Sequence, residues 1–312
     1  MTDEVRNIAS RKGWCPSVLK PMETMDGLLV RVKPKFSSIS LQQLLGLCDL
    51  SLKYGNGLMD LTNRANFQLR GITSRSHRKL VDGLVDIGLG SRCPEVDNAP
   101  QILVSPMLSE EFGDLYRRLV ALDLKDLSPK FGFVLDYFEQ PRCIQYSGDI
   151  RIYLKEHDVL LVLDGADAGV TVNYSEIEYQ IKDMVDWFMS NRSDKFSRVS
   201  TVVSMAGCPP SFVSSPIPKE TKFKKLGSIE GGVSFALNSG QFNASQLVKV
   251  LKRASFSGNI RVTPWRALYL PNCELFDVAP YQVDDQKFFD RLSFINKVLG
   301  SLCILSNEPA GS

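Results

Sequence analysis

The chain has 312 residues, 44% of them hydrophobic, and 37 Lys and Arg stand against 35 Asp and Glu for a formal net charge of +2. That length allows two or three domains and a sizeable core, while the near-neutral balance excludes a sequence-wide field for nucleic acid or an anionic membrane. The seven cysteines, Cys15, Cys48, Cys93, Cys143, Cys208, Cys273 and Cys303, are odd in number and widely spaced, which excludes a disulfide scaffold and a local zinc site.

Residues 1–25 read as an extended lead-in, because Gly13-Trp14-Cys15-Pro16 and Lys20-Pro21 disfavour helix. The stretch from Met1 to Asn7 lacks the apolar core of a signal peptide, and no apolar run approaches the length of a membrane span. A cytoplasmic location is therefore the expectation. Leu28 to Val32 reads as a strand. Ser40, with Gln43 three residues on, opens a helix that carries Leu41, Leu44, Leu45, Cys48 and Leu52 on one face. Gly55-Asn56-Gly57 ends it; these glycines follow a helix instead of opening one, so they make a turn and not a phosphate loop. Leu58 to Thr62 and Phe67 to Leu69 read as strands. A second helix starts at Ser74 or Ser76, turns Leu80, Leu84, Val85 and Ile87 inward, and ends at Gly88 or Gly90.

A different section runs from about Asp97 to Lys225. It predicts a helix from Ser109 to Leu122 and strands at Phe131 to Leu135, Asp149 to Leu154, Val159 to Leu163 and Val170 to Asn173. A long amphipathic helix with Ile177, Ile181, Met184, Val185 and Phe188 at helical spacing follows, and then a strand from Val199 to Met205. Gly207 to Lys225, rich in Pro, Ser and Lys, reads as a solvated linker. One more helix is expected from Asp284 to Leu299. The domain boundaries that result are 1–95, 96–225 and 226–312.

The first and last of these sections echo one another. Asp26 to Ile72 and Gly231 to Leu270 each begin with a Gly and a short apolar run, then a capped helix start, Ser40…Gln43 in one and Asn243…Gln246 in the other. Each ends in a phrase built on Thr, Thr62-Asn63-Arg64-Ala65-Asn66-Phe67 and Thr263-Pro264-Trp265-Arg266-Ala267-Leu268. A strand–helix–strand unit that occurs twice is expected to pack against its own copy and to leave a cleft between the halves.

The phrase from Gly57 to Gly71, with Thr62-Asn63-Arg64-Ala65-Asn66-Phe67-Gln68, resembles the Thr-x-Arg-x-x-x-Gln signature of nitrite and sulfite reductases. Within that superfamily the chain is most similar to the precorrin-3B synthase branch of aerobic cobalamin biosynthesis. Arg11-Lys12-Gly13-Trp14-Cys15-Pro16, Leu28-Leu29-Val30-Arg31-Val32, Leu127-Ser128-Pro129-Lys130-Phe131 and Arg261 to Leu268 carry the same resemblance, which extends from about Arg11 to Leu299. It implies an α+β fold in which two ferredoxin-like half-repeats, related by a pseudo-two-fold, hold a nitrite/sulfite-reductase-type α/β domain inserted between them. It implies a flat, polycarboxylated tetrapyrrole as ligand: siroheme in the reductases, the substrate precorrin-3A in the synthases. The reaction implied for the synthases is an oxygen-dependent hydroxylation with lactone formation.

A ligand edged with carboxylates needs fixed cations at its rim, and Arg grips a carboxylate with two hydrogen bonds without losing its charge. By match to the motifs, Arg31, Arg64 and Lys130 are the leading cradle residues, Arg70 and Arg266 follow, and Asn66 and Gln68 are hydrogen-bond donors to the ligand. The resemblance also implies a 4Fe–4S cluster, held in the superfamily by two pairs of closely spaced cysteines after the second repeat. Here only Cys273 and Cys303 follow it, unpaired in spacing, so the expectation is a chain without the cluster domain and without a metal site of its own. Oxygen chemistry would then draw on iron from a non-haem mononuclear site or on a cluster-bearing partner chain or electron donor. Gly132 stands where the reductases have a second Lys, which with the missing thiolate disfavours siroheme. Three readings follow: a synthase-like oxidoreductase, a non-catalytic tetrapyrrole-binding or partner subunit, and a siroheme reductase. Among the remaining residues, Trp14 and Trp265 read as core anchors, Cys208 as a packing or turn cysteine, His77 as an exposed helix residue and His157 as part of a hairpin turn.

Overall fold

The computed structural model describes residues 15–274 except 125, 195, 196 and 230. Trp14, Cys303 and the helix expected from Asp284 to Leu299 lie outside the described residues.

The first half-repeat consists of β1 (Met22–Thr24), β2 (Gly27–Val32), β3 (Ser38–Ile39), α1 (Leu41–Tyr54), β4 (Leu58–Leu61), β5 (Phe67–Ile72) and α2 (Ser74–Asp86). The inserted section carries α3 (Pro94–Asn98), β6 (Gln101–Val104), α4 (Gly113–Val120), β7 (Gly132–Tyr137), β8 (Ile150–Leu154), β9 (Asp158–Leu163), β10 (Ala168–Asn173), α5 (Ile177–Asn191), α6 (Val199–Ala206) and β11 (Ser215–Pro216). The second half-repeat has β12 (Gly227–Ile229), β13 (Gly232–Phe235), β14 (Gln241–Asn243), α7 (Ala244–Arg253), β15 (Ile260–Val262) and β16 (Leu268–Pro271).

The helix starts follow the local chemistry. The Ser40 hydroxyl accepts from the Gln43 N–H at 3.1 Å while the Gln43 side chain accepts from the Ser40 N–H at 3.1 Å, so two orphan donors of α1 are satisfied at once. At α7 the Asn243 side-chain oxygen Oδ1 accepts from the N–H groups of Ser245 and Gln246. Ser40→Ala should cost about 1 kcal/mol, read as a lower urea midpoint with an unchanged slope. For α2 the cap is Thr73, one residue before the expected start, with its own reciprocal box to Ser76.

The two halves exchange strands. One sheet has the order β1-β2-β5-β4-β14 and its counterpart β12-β13-β16-β15-β3, so each half lends the short strand before its helix to the sheet of the other. Both exchanges are antiparallel and equivalent in register: Phe242 lies opposite Met59, and Ile39 opposite Ile260. The shared core follows from this. Val30, Leu44, Leu47, Met59 and Phe67 pack with Val233, Phe235, Phe242, Leu247 and Leu270 in one cluster, with α1 against α7.

The inserted sheet has the order β11-β10-β9-β8-β7-β6, parallel from β6 to β8 and antiparallel beyond. It is covered on both faces. Ile102, Val104, Phe133 and Leu135 enter its own core with α5 and α6, whereas the alternate residues Leu103 and Val134 enter the core of the half-repeats. The period-two alternation of β6 and β7 therefore welds insertion to frame.

Several expectations are corrected. Val199 to Met205 is not a strand: it lies in α6, where Val199, Val202 and Val203, at helical spacing, face the core. The Asp149 carboxylate, from a distant part of the chain, accepts its first N–H at 3.2 Å. The segment after Gly207 is not a free linker, since Phe212 is buried, β11 pairs with β10, and Phe223 packs edge-on against Trp265 with centroids 5.2 Å apart. Contact with α2 and α7 turns α1 so that Leu47 and Leu50 are buried while Leu41 and Leu52 are 37% and 47% exposed. Ser109 to Leu122 is shorter as an α-helix than expected, a 3-10 turn at Glu110–Phe112 followed by α4. His77 is half-buried, its Nε2 2.9 Å from the Val18 carbonyl oxygen, so it ties the lead-in to α2. Trp265 is the expected core anchor, 2% exposed, and donates its indole N–H to Ser234. His157 lies in the β8–β9 turn, closed by the bond from the Lys155 N–H to the Asp158 carbonyl.

Candidate functional site

The Thr in each repeated phrase builds a turn. Thr62 N–H donates to the Asn66 carbonyl, Ala65 N–H to the Thr62 carbonyl, and the Thr62 hydroxyl accepts from the Asn66 N–H at 3.2 Å. Thr263, Arg266 and Ala267 repeat the same three bonds, and the residues at the matching corner, Ala65 and Arg266, have φ of 54° and 61°. One backbone device thus carries different side chains: Arg64 in the first turn has Trp265 as its counterpart, and Ala65 has Arg266.

Strand register assembles the floor of a cleft. Arg31 of β2 lies opposite Gln68 of β5, Gln68 opposite Asp60 of β4, and Asp60 opposite Gln241 of β14, so the four side chains form one cross-strand row on one face. The last of them comes from the other half. With Thr62, Asn63, Ser239, Gly240 and Arg266 they line a cavity of about 430 Å³ between the halves. Arg266 reaches it because Gly240, at φ 91°, leaves room: a Cβ there would lie 2.5 Å from that of Arg266. The cleft expected from the repeats thus holds Arg31, Gln68 and Arg266.

Beside it sits a cluster of cations. Arg64 donates to the Lys130 carbonyl oxygen at 2.8 Å, which brings the third leading residue, Lys130, to the same corner. Burial, followed by repulsion from Arg198 and Arg31, lowers the Arg64 pKa. Lys33 is lowered as well, first by burial, with Arg31 and Arg64 adding repulsion; its ammonium is held by the carbonyls of Asp97 and Ala99 at 2.9 and 3.3 Å. Lys35, beyond the end of β2 in a 3-10 turn, is exposed and takes no part. Arg31 has a buried Nε without a hydrogen-bond partner. Half-buried guanidinium groups side by side, one with an unused buried donor, could take an anion between them.

The other expected residues have partners within the protein. Arg70 clamps Asp26 with two bonds, 2.9 and 3.0 Å, and reaches Asp60 at 3.1 Å. The Arg70 guanidinium holds the Asp26 carboxyl down to about 2. Because that pKa is depressed, the pair stabilises the fold above about pH 4 and the contribution is lost as pH falls through about 2. The stability difference between the protein and Asp26→Asn should shrink steadily across that window in acid-unfolding curves. Asn66, 1% exposed, exchanges two amide hydrogen bonds of 2.8 Å with Gln101 of β6, and Gln101 also donates to the Arg64 carbonyl. Asn66 and Gln101 therefore fix the Arg64 turn to the inserted sheet.

Gln101, Gln241 and Arg198 are the contributors sequence reasoning missed. Arg198 is held by Asp149 through bonds of 2.9 and 2.8 Å, and the same carboxylate accepts from the Gly132 N–H at 3.0 Å. Gly132 itself faces Gln101: a Cβ there would lie 2.9 Å from the Gln101 carbonyl oxygen, so the β6–β7 approach excludes a side chain at this position.

The residues 20–87 match the family described as nitrite/sulfite reductase ferredoxin-like half domain. A structure from Mycobacterium tuberculosis, the NirA protein, superimposes with a TM-score of 0.59 at 16% identity over 81% of this chain. This is the nitrite/sulfite reductase fold. A curated protein named precorrin-3B synthase, from Sinorhizobium sp, is 33% identical over 149 residues, 44% of this chain. The chain spans 31% of that relative's length and 55% of the NirA chain.

Among the described residues no three His, Cys, Asp or Glu side chains stand together as a metal site. Cys48 is a core thiol pushed up by burial to about 12, and burial raises Cys143 as well, opposite to what a thiolate ligand needs. Neither Cys48 nor Cys143 is therefore poised as a cluster ligand. No helix of the described residues is long and apolar enough to cross a membrane.

Proposed function

We propose that this chain provides the tetrapyrrole-binding part of a precorrin-3B synthase-like oxidoreductase of aerobic cobalamin biosynthesis, acting in the cytoplasm on precorrin-3A. The observation that carries this reading is the buried, unpaired Nε of Arg31 on the cleft floor, next to the desolvated Arg64. A rim carboxylate would answer both: it takes up the unused donor and offsets the repulsion between the two guanidinium groups. Gln68 and Arg266 supply further donors from the same cavity, and Arg266 comes from the opposite half, so a ligand there would span the pseudo-two-fold. The 33% identity to a precorrin-3B synthase supports the choice of substrate class, with hydroxylation by oxygen and lactone closure as the reaction.

The scattered cysteines favour a second reading: a non-catalytic tetrapyrrole-binding subunit whose iron chemistry is supplied by a cluster-bearing partner chain. Siroheme-dependent reduction has less support, because Gly132 leaves no room for a further cation on β7.

The test is a visible-absorption titration with an octacarboxylate porphyrin, uroporphyrin, against the tetracarboxylate coproporphyrin. Saturable binding should favour uroporphyrin by about tenfold or more, since each added charge-assisted hydrogen bond contributes roughly 1.5–3 kcal/mol, and should weaken as salt rises. Equal affinity for both, or no spectral change, would remove the carboxylate cradle.

A further inference from the structure

The cation corner around Arg64 lies at the start of the inserted strands, and their other ends build a separate cavity. Tyr137 closes β7, Leu154 closes β8 and Tyr174 follows β10; β7 is parallel to β8, and β9 runs antiparallel to both β8 and β10, so all three stand at one edge of the sheet. Gly132, two residues after Lys130, starts the strand that Tyr137 ends, so roughly 17 Å separate the two places at about 3.3 Å per residue. With Met107 and Phe112 the three residues line a cavity of about 680 Å³. That volume is within the roughly 300–1,000 Å³ of small-molecule pockets, and the carboxyl ends of the strands are where open α/β sheets bind ligands.

The aromatic walls of this cavity are fixed in place and unoccupied. Phe112 and Tyr137 meet edge-on, with centroids 5.9 Å apart and planes at 80°. The Tyr137 hydroxyl accepts from the Ser109 N–H at 3.2 Å, and the Tyr174 hydroxyl donates to the Lys155 carbonyl at 3.1 Å, so each phenol is tied at its tip. Burial, Asp158, Tyr137 and Glu111, in that order, raise the Tyr174 pKa, which sets Tyr137 and Glu111 close to it. All three rings are partly exposed, and among the described residues no cation stands over them. Glu111 and Glu139 are exposed, and no hydrogen bond or ion pair reaches their carboxylates among the described residues; Glu156 lies 3.7 Å from His157. The two cations of the lining are engaged elsewhere. Lys155 pairs with Asp158 at 3.4 Å and lies over the Phe138 ring at 5.0 Å, and Arg142 lies over the Phe223 ring at 4.7 Å.

We propose that this cavity is a second ligand site and takes a compact alkylammonium: its cationic head against the rings of Phe112, Tyr137 and Tyr174, countered by Glu111 and Glu139, and its apolar remainder on Met107 and Leu154. The face of an aromatic ring carries the negative part of its quadrupole and attracts a cation, most strongly where the cation is withdrawn from water. An anion is disfavoured by the carboxylates of the lining, and a neutral ligand would leave them unanswered. The site is independent of the tetrapyrrole reading.

The experiment is calorimetric titration of the full chain with choline, with its uncharged carbon isostere, dimethylbutanol, as control. Saturable binding is expected, about tenfold or more tighter for choline than for the alcohol, because only the cation is drawn to the ring faces. The double variant Glu111→Gln/Glu139→Gln changes two exposed side chains, so it should keep its circular dichroism spectrum and lose choline affinity about fivefold or more. Tyr174→Leu removes a ring and should weaken binding by a similar factor, whereas Tyr174→Phe keeps the ring and should bind as the unmodified chain does. Arg64→Ala, in the other site, should also bind choline as before. Absence of saturable binding, equal affinity for the alcohol, or full affinity in the folded double variant would each overturn the proposal. So would a loss in Tyr174→Phe as large as in Tyr174→Leu, which would assign the effect to the hydroxyl and not the ring, or a loss in Arg64→Ala, which would place choline in the tetrapyrrole cleft.

Discussion

Replacing Asp149 by Ala should lower the unfolding free energy by about 2–4 kcal/mol, because buried backbone donors are left without their acceptor at roughly 1–3 kcal/mol each. Asp149 is fully buried and serves three elements at once. It accepts the two bonds of Arg198, the N–H of Gly132 at the start of β7, and the N–H of Val199 at the start of α6. Without the carboxylate the Arg198 charge loses its partner, two backbone donors lose their acceptor, and Arg198, already among the cations acting on Arg64, repels it unopposed. Asp149→Asn keeps one acceptor and should lose less. Urea unfolding followed by circular dichroism measures both; a change below about 1 kcal/mol in Asp149→Ala would mean that Arg198 and α6 are held by other contacts.

The second large effect is expected on ligand binding. Arg64→Ala should weaken uroporphyrin binding about 10- to 100-fold, corresponding to the loss of a charge-assisted hydrogen bond. Stability should change little, because the side chain makes one neutral-acceptor bond, to the Lys130 carbonyl. Arg70→Ala should show the opposite pattern. Its guanidinium is engaged by Asp26 and Asp60, so stability should fall while porphyrin affinity stays within about twofold. If Arg70→Ala impairs binding as much as Arg64→Ala, the ligand lies further along β5 than the Arg31–Gln68 row.

The contrast between these two arginines shows where sequence reading stops. Arg64 and Arg70 stand six residues apart in one motif, which ranks Arg64 first as a cradle residue and Arg70 second without excluding it. What separates them is Asp26, brought beside Arg70 across the sheet edge, and Lys130, brought beside Arg64 by the insertion. The same limit applies to Asn66, whose amide is satisfied by Gln101 from β6, and to α6, whose β-branched sequence reads as a strand until the Asp149 carboxylate is seen at its first turn. In each case the deciding partner is remote in sequence and local only in space.

By itself the sequence determined whatever depends on neighbours within a few residues. Ser40 with Gln43 and Asn243 with Gln246 marked the helix starts, because a cap bonds to its own first turn. The two Thr phrases marked a repeated unit, because a Thr hydroxyl can close a turn on the N–H four residues later. Arg31 and Gln68 could be named as residues of one cleft on motif alone. The tertiary structure decided the rest. The two halves form one body through the exchange of β3 and β14, since a strand of two or three residues carries no signal of which sheet will receive it. Arg266 and Gln241 reach the first half's cleft only through that exchange, and a charge becomes available to a ligand or is neutralised according to which carboxylate the fold sets beside it.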